Sequence, residues 1–162
     1  MLPVLFGGCA HYRCGSPIQN TAFKTLYITP VKNQAFVAQS QSVLSGQLRT
    51  LLLRKNFLKL TDKEHADLIL ETTIQHYGRS IGAIYENDPD NAKTLSLNMT
   101  VSCDLFDQNG NYYLKNCSVS HSISVTANNI VQNIENQRLP QLTREISNKI
   151  ISLIENVEPK QP

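Results

Sequence analysis

Charged residues and long apolar stretches are both scarce in this chain of 162 residues. Asp, Glu, Lys and Arg together make up 17% of it, which is below the roughly one quarter usual for soluble domains. The net charge is only +2, and the basic residues form no cluster of the kind that phosphate recognition requires, so the composition argues against nucleic-acid binding. No segment approaches the roughly twenty apolar residues of a spanning helix, so membrane attachment would need a lipid or a protein partner.

The sequence also lacks the common motifs of catalysis and cofactor binding. It contains no phosphate-binding loop, glycine-rich nucleotide motif, serine nucleophile elbow or paired-carboxylate motif. Cys9, His11 and Cys14 lie close together, but they have no fourth ligand nearby, and we expect no metal site there. The acidic segment 86–91 lacks the spacing of a calcium loop and predicts a solvated turn. We therefore expect neither a metal nor a cofactor.

The first nine residues resemble the end of a bacterial lipoprotein leader. An apolar run precedes Gly7 and Gly8, and these small residues stand directly before Cys9, as a leader peptidase requires before the thiol that becomes acylated. The alternative is an apolar N-terminal strand that ends in a Gly-Gly turn with a buried cysteine. The predicted organisation is a residual leader at 1–8, a lipidated tether at 9–22, one α+β domain at 23–157 and a frayed tail at 158–162.

Hydrophobic periods divide the domain into strands and helices. The predicted elements are a strand at 23–31, a helix at 36–55, a strand at 66–79, strands at 95–105 and 112–125, and a helix at 138–157 with Pro140 in its first turn. This order, β-α-β-β-β-α, predicts an α+β fold in which one four-stranded sheet carries two helices packed on one face. The last three strands can form a meander, whereas the first strand reaches the sheet through a crossover that includes the first helix.

The last two strands show the clearest alternation, and both carry their apolar residues at odd positions. Segment 107–111, which contains Asn109 and Gly110, predicts the hairpin turn that joins them. Paired residues share a face, so burying both apolar sets requires odd-numbered residues of one strand to pair with odd-numbered residues of the other, that is, an even register sum. This register places Cys103 and Cys117 on the same core face. A disulfide between them and two reduced, buried thiols are both compatible with this placement.

The same parity predicts that His76 and His121 also point inward. An alternative is therefore an enzyme in which Cys103 or Cys117 is the nucleophile and one of these histidines is its base. We expect the two helices to fill that face and leave no pocket for a substrate, so core packing is the favoured interpretation.

Several segments together resemble the LptE family, the lipoproteins of lipopolysaccharide assembly. They are the tail Gly8-Cys9-Ala10-His11-Tyr12-Arg13-Cys14-Gly15, the strand FKTLYITPV, the helix that ends before Asn56-Phe57, the segment Ala66-Asp67-Leu68-Ile69-Leu70-Glu71, and Arg138-Leu139-Pro140. The resemblance implies a non-enzymatic domain that plugs the large outer-membrane β-barrel LptD, assists its assembly and contacts lipopolysaccharide. Ala10 follows the lipidated position in place of the Asp that retains lipoproteins in the inner membrane, so the expected location is the periplasmic side of the outer membrane.

Given this resemblance, we hypothesise that the outward face of the hairpin hydrogen-bonds the barrel lumen. Its residues are Ser96, Asn98, Thr100, Ser102, Ser118, Ser120, Ser122 and Ser124. An ordinary solvated sheet face is the alternative. Two other functions stay open: an envelope lipoprotein that binds another protein or a polymer without a barrel, and a soluble enzyme with a cysteine nucleophile.

Overall fold

The computed structural model describes residues 23–84, 93–127 and 131–157. These residues form β1 (Thr25–Ile28), β2 (Lys32–Asn33), α1 (Ser40–Lys55), β3 (Lys59–Leu60), β4 (Leu68–Ile84), β5 (Lys93–Asp107), β6 (Tyr112–Ala127) and α2 (Val131–Glu155), with a 3₁₀ turn at Lys63–His65. The predicted leader, tether, acidic turn and frayed tail lie outside the described residues. The α+β class is confirmed.

The six strands form one mixed sheet in the order β3-β1-β4-β5-β6, and β2 also pairs with β4. β4, β5 and β6 form the expected antiparallel meander, and β1 runs parallel to β4 after a crossover through α1. The prediction of four strands is wrong. β1 ends at Ile28, before Pro30, which has no amide hydrogen for a ladder. The two additional strands, β2 and β3, have two residues each and are too short to show a period of two.

Both helices pack on the same face of the sheet, as predicted, and the core lies between them and the strands. Its largest fully buried side chains come from every layer: Leu26, Ile28, Leu44, Leu48, Leu52, Leu68, Leu70, Ile74, Leu97, Met99, Leu105 and Leu142. At the surface, Lys55 of α1 and Glu155 of α2 form an ion pair of 2.7 Å. The two helices therefore form one apolar layer, and the ion pair links them at the surface.

α1 begins four residues later than the apolar period predicts. Phe36 and Gln39 have φ angles of 56° and 61°, in the left-handed region that a right-handed helix does not use, so the helix begins at Ser40. Phe36 is 92% exposed in this loop. The other end agrees with the prediction: Asn56 adopts a φ of 52°, and its amide donates to the carbonyl of Leu52 at 3.0 Å.

α2 begins at Val131, seven residues before the predicted start. Pro140 therefore lies inside the helix and not in its first turn. A proline in a helix removes one backbone hydrogen bond, at a cost of about 3 kcal/mol. The buried stripe that follows, which includes Leu142, Ile146 and Ile150, offsets this cost by packing on the sheet.

β4 contains a bulge, and beyond it the inward-facing and outward-facing positions exchange parity. Ile74 pairs with Val101, but the next pair is His76 with Thr100, so Gln75 is an extra residue in β4. Beyond this bulge the even-numbered residues face outward and Tyr77 pairs with the buried Met99. The prediction that His76 points inward is therefore wrong, and its side chain is exposed.

The hairpin between β5 and β6 has the predicted turn and parity. Asp107 Oδ1 accepts hydrogen bonds from the amides of Asn109 and Asn111, both at 2.9 Å, and Gly110 has a φ of 81°. Along most of the hairpin odd-numbered residues pair with odd-numbered ones, and Cys103 lies directly opposite Cys117. The even register required by the alternation is confirmed.

Candidate partner-binding face

The face of the sheet opposite the helices has no helix over it in the described part of the chain. We call it the outer face. The eight residues predicted to point outward from the hairpin all lie on it, in four directly opposed pairs: Ser96 with Ser124, Asn98 with Ser122, Thr100 with Ser120, and Ser102 with Ser118. All eight side chains are short and neutral, so the hairpin presents an array of hydroxyl and amide groups. Their contact with a barrel stays a prediction.

β4 extends this array by one further strand. Because of the bulge, His76 pairs with Thr100, Gly78 with Asn98, and Ser80 with Ser96. An added Cβ on Gly78 would lie 2.8 Å from Asn98 Oδ1 and 2.9 Å from His76 Nε2. Because Gly78 has no side chain, the side chains of Asn98 and His76 can occupy the space next to its Cα. Sequence reasoning missed His76 and Gly78 as members of this face, although a glycine inside a strand is a signal for close approach of this kind.

At the end of the outer face nearest the 107–111 turn, the surface becomes aromatic. The rings of Phe106 and Tyr112 have their centroids 5.3 Å apart, and Lys115 Nζ lies 5.1 Å from the centroid of Tyr112. Ile69 pairs with Phe106 and is almost completely buried beside it. Both rings are at even-numbered positions, so the parity that places the eight polar residues outward also places Phe106 and Tyr112 there. The prediction for this face included polar residues only.

β6 is an edge strand of the sheet, and a groove of about 620 Å³ separates it from α2. Ser118 and Ser120 line its strand side, and Glu145, Asn148 and Lys149 line its helix side. Lys149 Nζ donates to the backbone carbonyl oxygen of Ser120 at 2.7 Å. One acceptor of the edge strand is thus occupied by a charged side chain, a common protection of sheet edges against unwanted pairing.

The geometry of the thiols does not support a cysteine nucleophile. Cys103 is fully buried, and its thiol pKa is raised to about 12. Burial is the largest cause, and the nearby Cys117 thiol and Asp104 carboxylate raise the pKa further. His76 lies on the other face of the sheet, and His121 is four residues from Cys117 along β6, or about 14 Å. The prediction that all four side chains share the inward face is wrong, and no thiol–imidazole pair forms among them.

Two further observations concern membrane-spanning helices and metal sites. Neither helix is sufficiently long and apolar to cross a bilayer, within the ranges 23–84, 93–127 and 131–157. Over the same ranges, no group of His, Cys, Asp and Glu side chains is arranged to hold a metal ion. The outer face combines the neutral hairpin residues with the aromatic end, and the directly opposed carboxylates of Glu71 and Asp104 lie between the two.

A family model described as lipopolysaccharide-assembly, LptE, matches residues 23–156, which is nearly the whole described domain. The chain belongs to the LptE family. LptE is a family of lipoproteins of the cell envelope that serve assembly and are not enzymes. No curated protein matches the sequence.

Solved structures share the LptE-type fold at low sequence identity. A minor lipoprotein from Acinetobacter baumannii is 15% identical, with a TM-score of 0.57, and the match covers 83% of this chain and 94% of that one. An uncharacterised lipoprotein B from Nitrosomonas europaea is 14% identical, with a TM-score of 0.59 and coverages of 90% and 91%. At such identities the similarity concerns the fold alone.

Proposed function

We propose that this LptE-family domain is the partner of a large outer-membrane β-barrel of the LptD type. In this proposal, a lipid on Cys9 holds the chain at the periplasmic side of the outer membrane through the tether 9–22. The domain plugs the barrel and assists its assembly, and the pair passes lipopolysaccharide to the cell surface. The observation that carries the proposal is the set of eight neutral residues that the hairpin places on the outer face, which no helix covers in the described residues.

The chemistry of the eight neutral hairpin residues on this face suits burial against another polar surface. Moving a charged group out of water costs far more than moving a hydroxyl or an amide, and a hydroxyl can exchange its water for a partner's hydrogen bond. The four opposed pairs from Ser96–Ser124 to Ser102–Ser118 offer donors and acceptors in rows across β5 and β6. A barrel lumen, whose inward side chains are polar, supplies matching groups.

The aromatic end of the outer face adds a second kind of contact. Tyr112 is 41% exposed and carries the Lys115 ammonium over its ring. Aromatic rings with a polar or charged neighbour are enriched at protein interfaces because they bury a large area while retaining a hydrogen-bonding group. We expect this end to supply apolar area and the hydroxyl rows to set the orientation.

The barrel contact can be tested with two charge-matched double variants of the full chain, expressed in a Gram-negative envelope. S122E/S124E places two carboxylates on exposed positions of the outer face, and T50E/L53E places two on the exposed side of α1. After extraction in mild detergent, we expect the first variant to recover at least tenfold less barrel than wild type and the second to recover the same amount. Equal recovery with S122E/S124E would exclude the outer face as the contact.

The same extraction separates the competing function. If the wild-type chain is acylated but brings down no stoichiometric barrel, it serves as an envelope binding module for another protein or polymer, and the barrel proposal is wrong.

The anchor has its own experiment, metabolic labelling with a tagged fatty acid. Cys9→Ala should abolish the label and the membrane association, whereas Cys14→Ala, a change five residues away, should retain both. Unchanged labelling of Cys9→Ala would refute the lipid site.

A further inference from the structure

We propose that Cys103 and Cys117 form a disulfide that joins β5 to β6 across the inner face of the sheet. Both are free thiols in this structure. The pairing itself rests on the geometry of the hairpin. Its formation in the cell rests on the proposed envelope location, because structural disulfides form and persist in oxidising compartments.

The register brings the two residues together without any change in strand pairing. They are directly opposed in an antiparallel ladder, where opposed Cα atoms lie about 4.5 to 5.5 Å apart. A disulfide accepts Cα separations of roughly 4.4 to 6.8 Å, so both kinds of antiparallel pair fit. The side chains also share a face, and Cys103 Sγ already lies 3.5 Å from the carbonyl oxygen of Cys117.

The local backbone makes the two thiols unequal. Immediately before Cys117, Asn116 adopts a φ of 50°, and its amide donates to Asp104 Oδ1 at 2.7 Å, which holds a bulge in β6. Cys117 follows this bulge on the edge strand and is half-buried, whereas Cys103 on the inner strand is fully buried. An oxidant can therefore reach Cys117 and cannot reach Cys103.

This asymmetry defines the order of the reaction with a disulfide oxidant, such as a periplasmic dithiol–disulfide oxidoreductase or oxidised glutathione. The Cys117 thiolate attacks one sulfur of the oxidant, a mixed disulfide forms, and the other sulfur leaves as a thiolate. Cys103 then gives up its proton and attacks Cys117 Sγ, which forms the internal bond and releases the second thiolate. Two thiols lose two electrons and two protons, and the oxidant's disulfide becomes two thiols. The raised pKa of Cys103 slows this second step, because little of its thiol is in the thiolate form.

The expected consequence is a more stable hairpin. The bond closes the loop that contains the 107–111 turn, and a cross-link of this kind restricts the unfolded chain. β6 is the edge strand that carries four of the eight neutral hairpin residues, so the link fixes them to the neighbouring strand β5. We expect reduction to lower the midpoint of thermal unfolding by roughly 6 to 12 °C.

Trypsin provides a direct test, because Lys115 separates the two cysteines. Digestion without reduction should yield peptides 94–115 and 116–138 joined through Cys103 and Cys117, and reduction should separate them. The full chain with Cys14→Ser is used, once isolated from the envelope under thiol-blocking conditions and once reduced and then exposed to oxidised glutathione. In the reduced, folded protein, a maleimide should label Cys117 at least tenfold faster than Cys103.

A second cysteine pair controls for oxidation and peptide detection. S96C/S124C in a C103S/C117S background places two cysteines on another directly opposed pair of the same strands, and it yields the same two peptides. If the control pair joins in glutathione and the natural pair does not, the proposed pairing is wrong. If the natural pair joins in glutathione but is isolated reduced from cells, the pairing stands, and its formation in the cell is refuted together with the oxidising location.

Discussion

The carboxylate of Asp67 is expected to hold the start of the folded domain in place, and its removal makes a measurable prediction. Asp67 Oδ2 accepts hydrogen bonds from the backbone amides of Lys24 at 2.7 Å and Thr25 at 2.9 Å. In return, the Asp67 amide donates to Thr25 Oγ1 at 2.9 Å. These bonds fasten the beginning of β1 to the beginning of β4.

Asp67→Ala should lower the free energy of unfolding by about 1.5 kcal/mol. Two hydrogen bonds to a charged acceptor would be worth about 3 to 6 kcal/mol at a buried site, but this carboxylate is exposed, and solvent screening reduces the sum severalfold. In a domain of this size the change corresponds to a fall of roughly 3 to 6 °C in the midpoint of thermal unfolding. Urea unfolding monitored by circular dichroism measures it, with the neighbouring exposed Glu64→Ala as the control.

The charge of Asp67 also gives this prediction a pH dependence. Burial raises the pKa of Asp67, but the hydrogen bonds from Lys24 and Thr25 outweigh that effect and leave the pKa below its ordinary value. A carboxyl whose pKa is lower in the folded state stabilises the fold above its unfolded pKa, about 3.9, and this stabilisation disappears as the pH falls through the folded pKa. The difference between wild type and Asp67→Asn should therefore be full at pH 7 and shrink below about pH 4. A difference that is absent, or equal at pH 7 and pH 3, would refute the reasoning.

Three further predictions concern the core, the hairpin turn and the contact between the helices. Ile146→Ala, at a fully buried position on α2, should cost about 2 to 5 kcal/mol in urea unfolding, whereas Leu53→Ala, at a position that is 65% exposed, should stay within about 0.5 kcal/mol of wild type. Gly110→Ala should cost about 1 to 2 kcal/mol because a φ of 81° strains any residue with a Cβ, and an unchanged unfolding midpoint would contradict the turn geometry. Lys55→Met removes the ion pair to Glu155, which is about one third exposed, so it should cost under about 1 kcal/mol at low salt and less in 1 M salt; a cost independent of salt would argue against the pair.

The hairpin of β5 and β6 was predictable in detail because its information is local. Alternation specified which residues face inward, the Asp107–Asn111 segment specified the turn, and the two together required the even register that brings Cys103 opposite Cys117. The eight neutral residues of the outer face followed from the same parity. The end of α1 at Asn56 was equally local, because a left-handed residue that ends a helix is favoured by asparagine.

Other features depended on contacts that no local pattern expresses. The bulge at Gln75 turned His76 from the core to the outer face, and only the pairing of β4 with β5 reveals it. β2 and β3 are strands only through pairing with a neighbour: two residues of β2 pair with β4, and two residues of β3 pair with β1. The seven residues of α2 before the predicted start form a helix despite Pro140, since packing of the later turns on the sheet outweighs one lost hydrogen bond.

What the amino-acid order by itself determined was the fold class, the parity of the hairpin and the choice of family, because all three depend on spacing along the chain. What only the tertiary structure decided was which residues meet across strands: the place of His76 and Gly78 beside Asn98, the aromatic group around Tyr112, and the separation of both histidines from the thiols. The physical reason is that a single extra residue in one strand reverses every side chain beyond it, and its position is set by the partner strand.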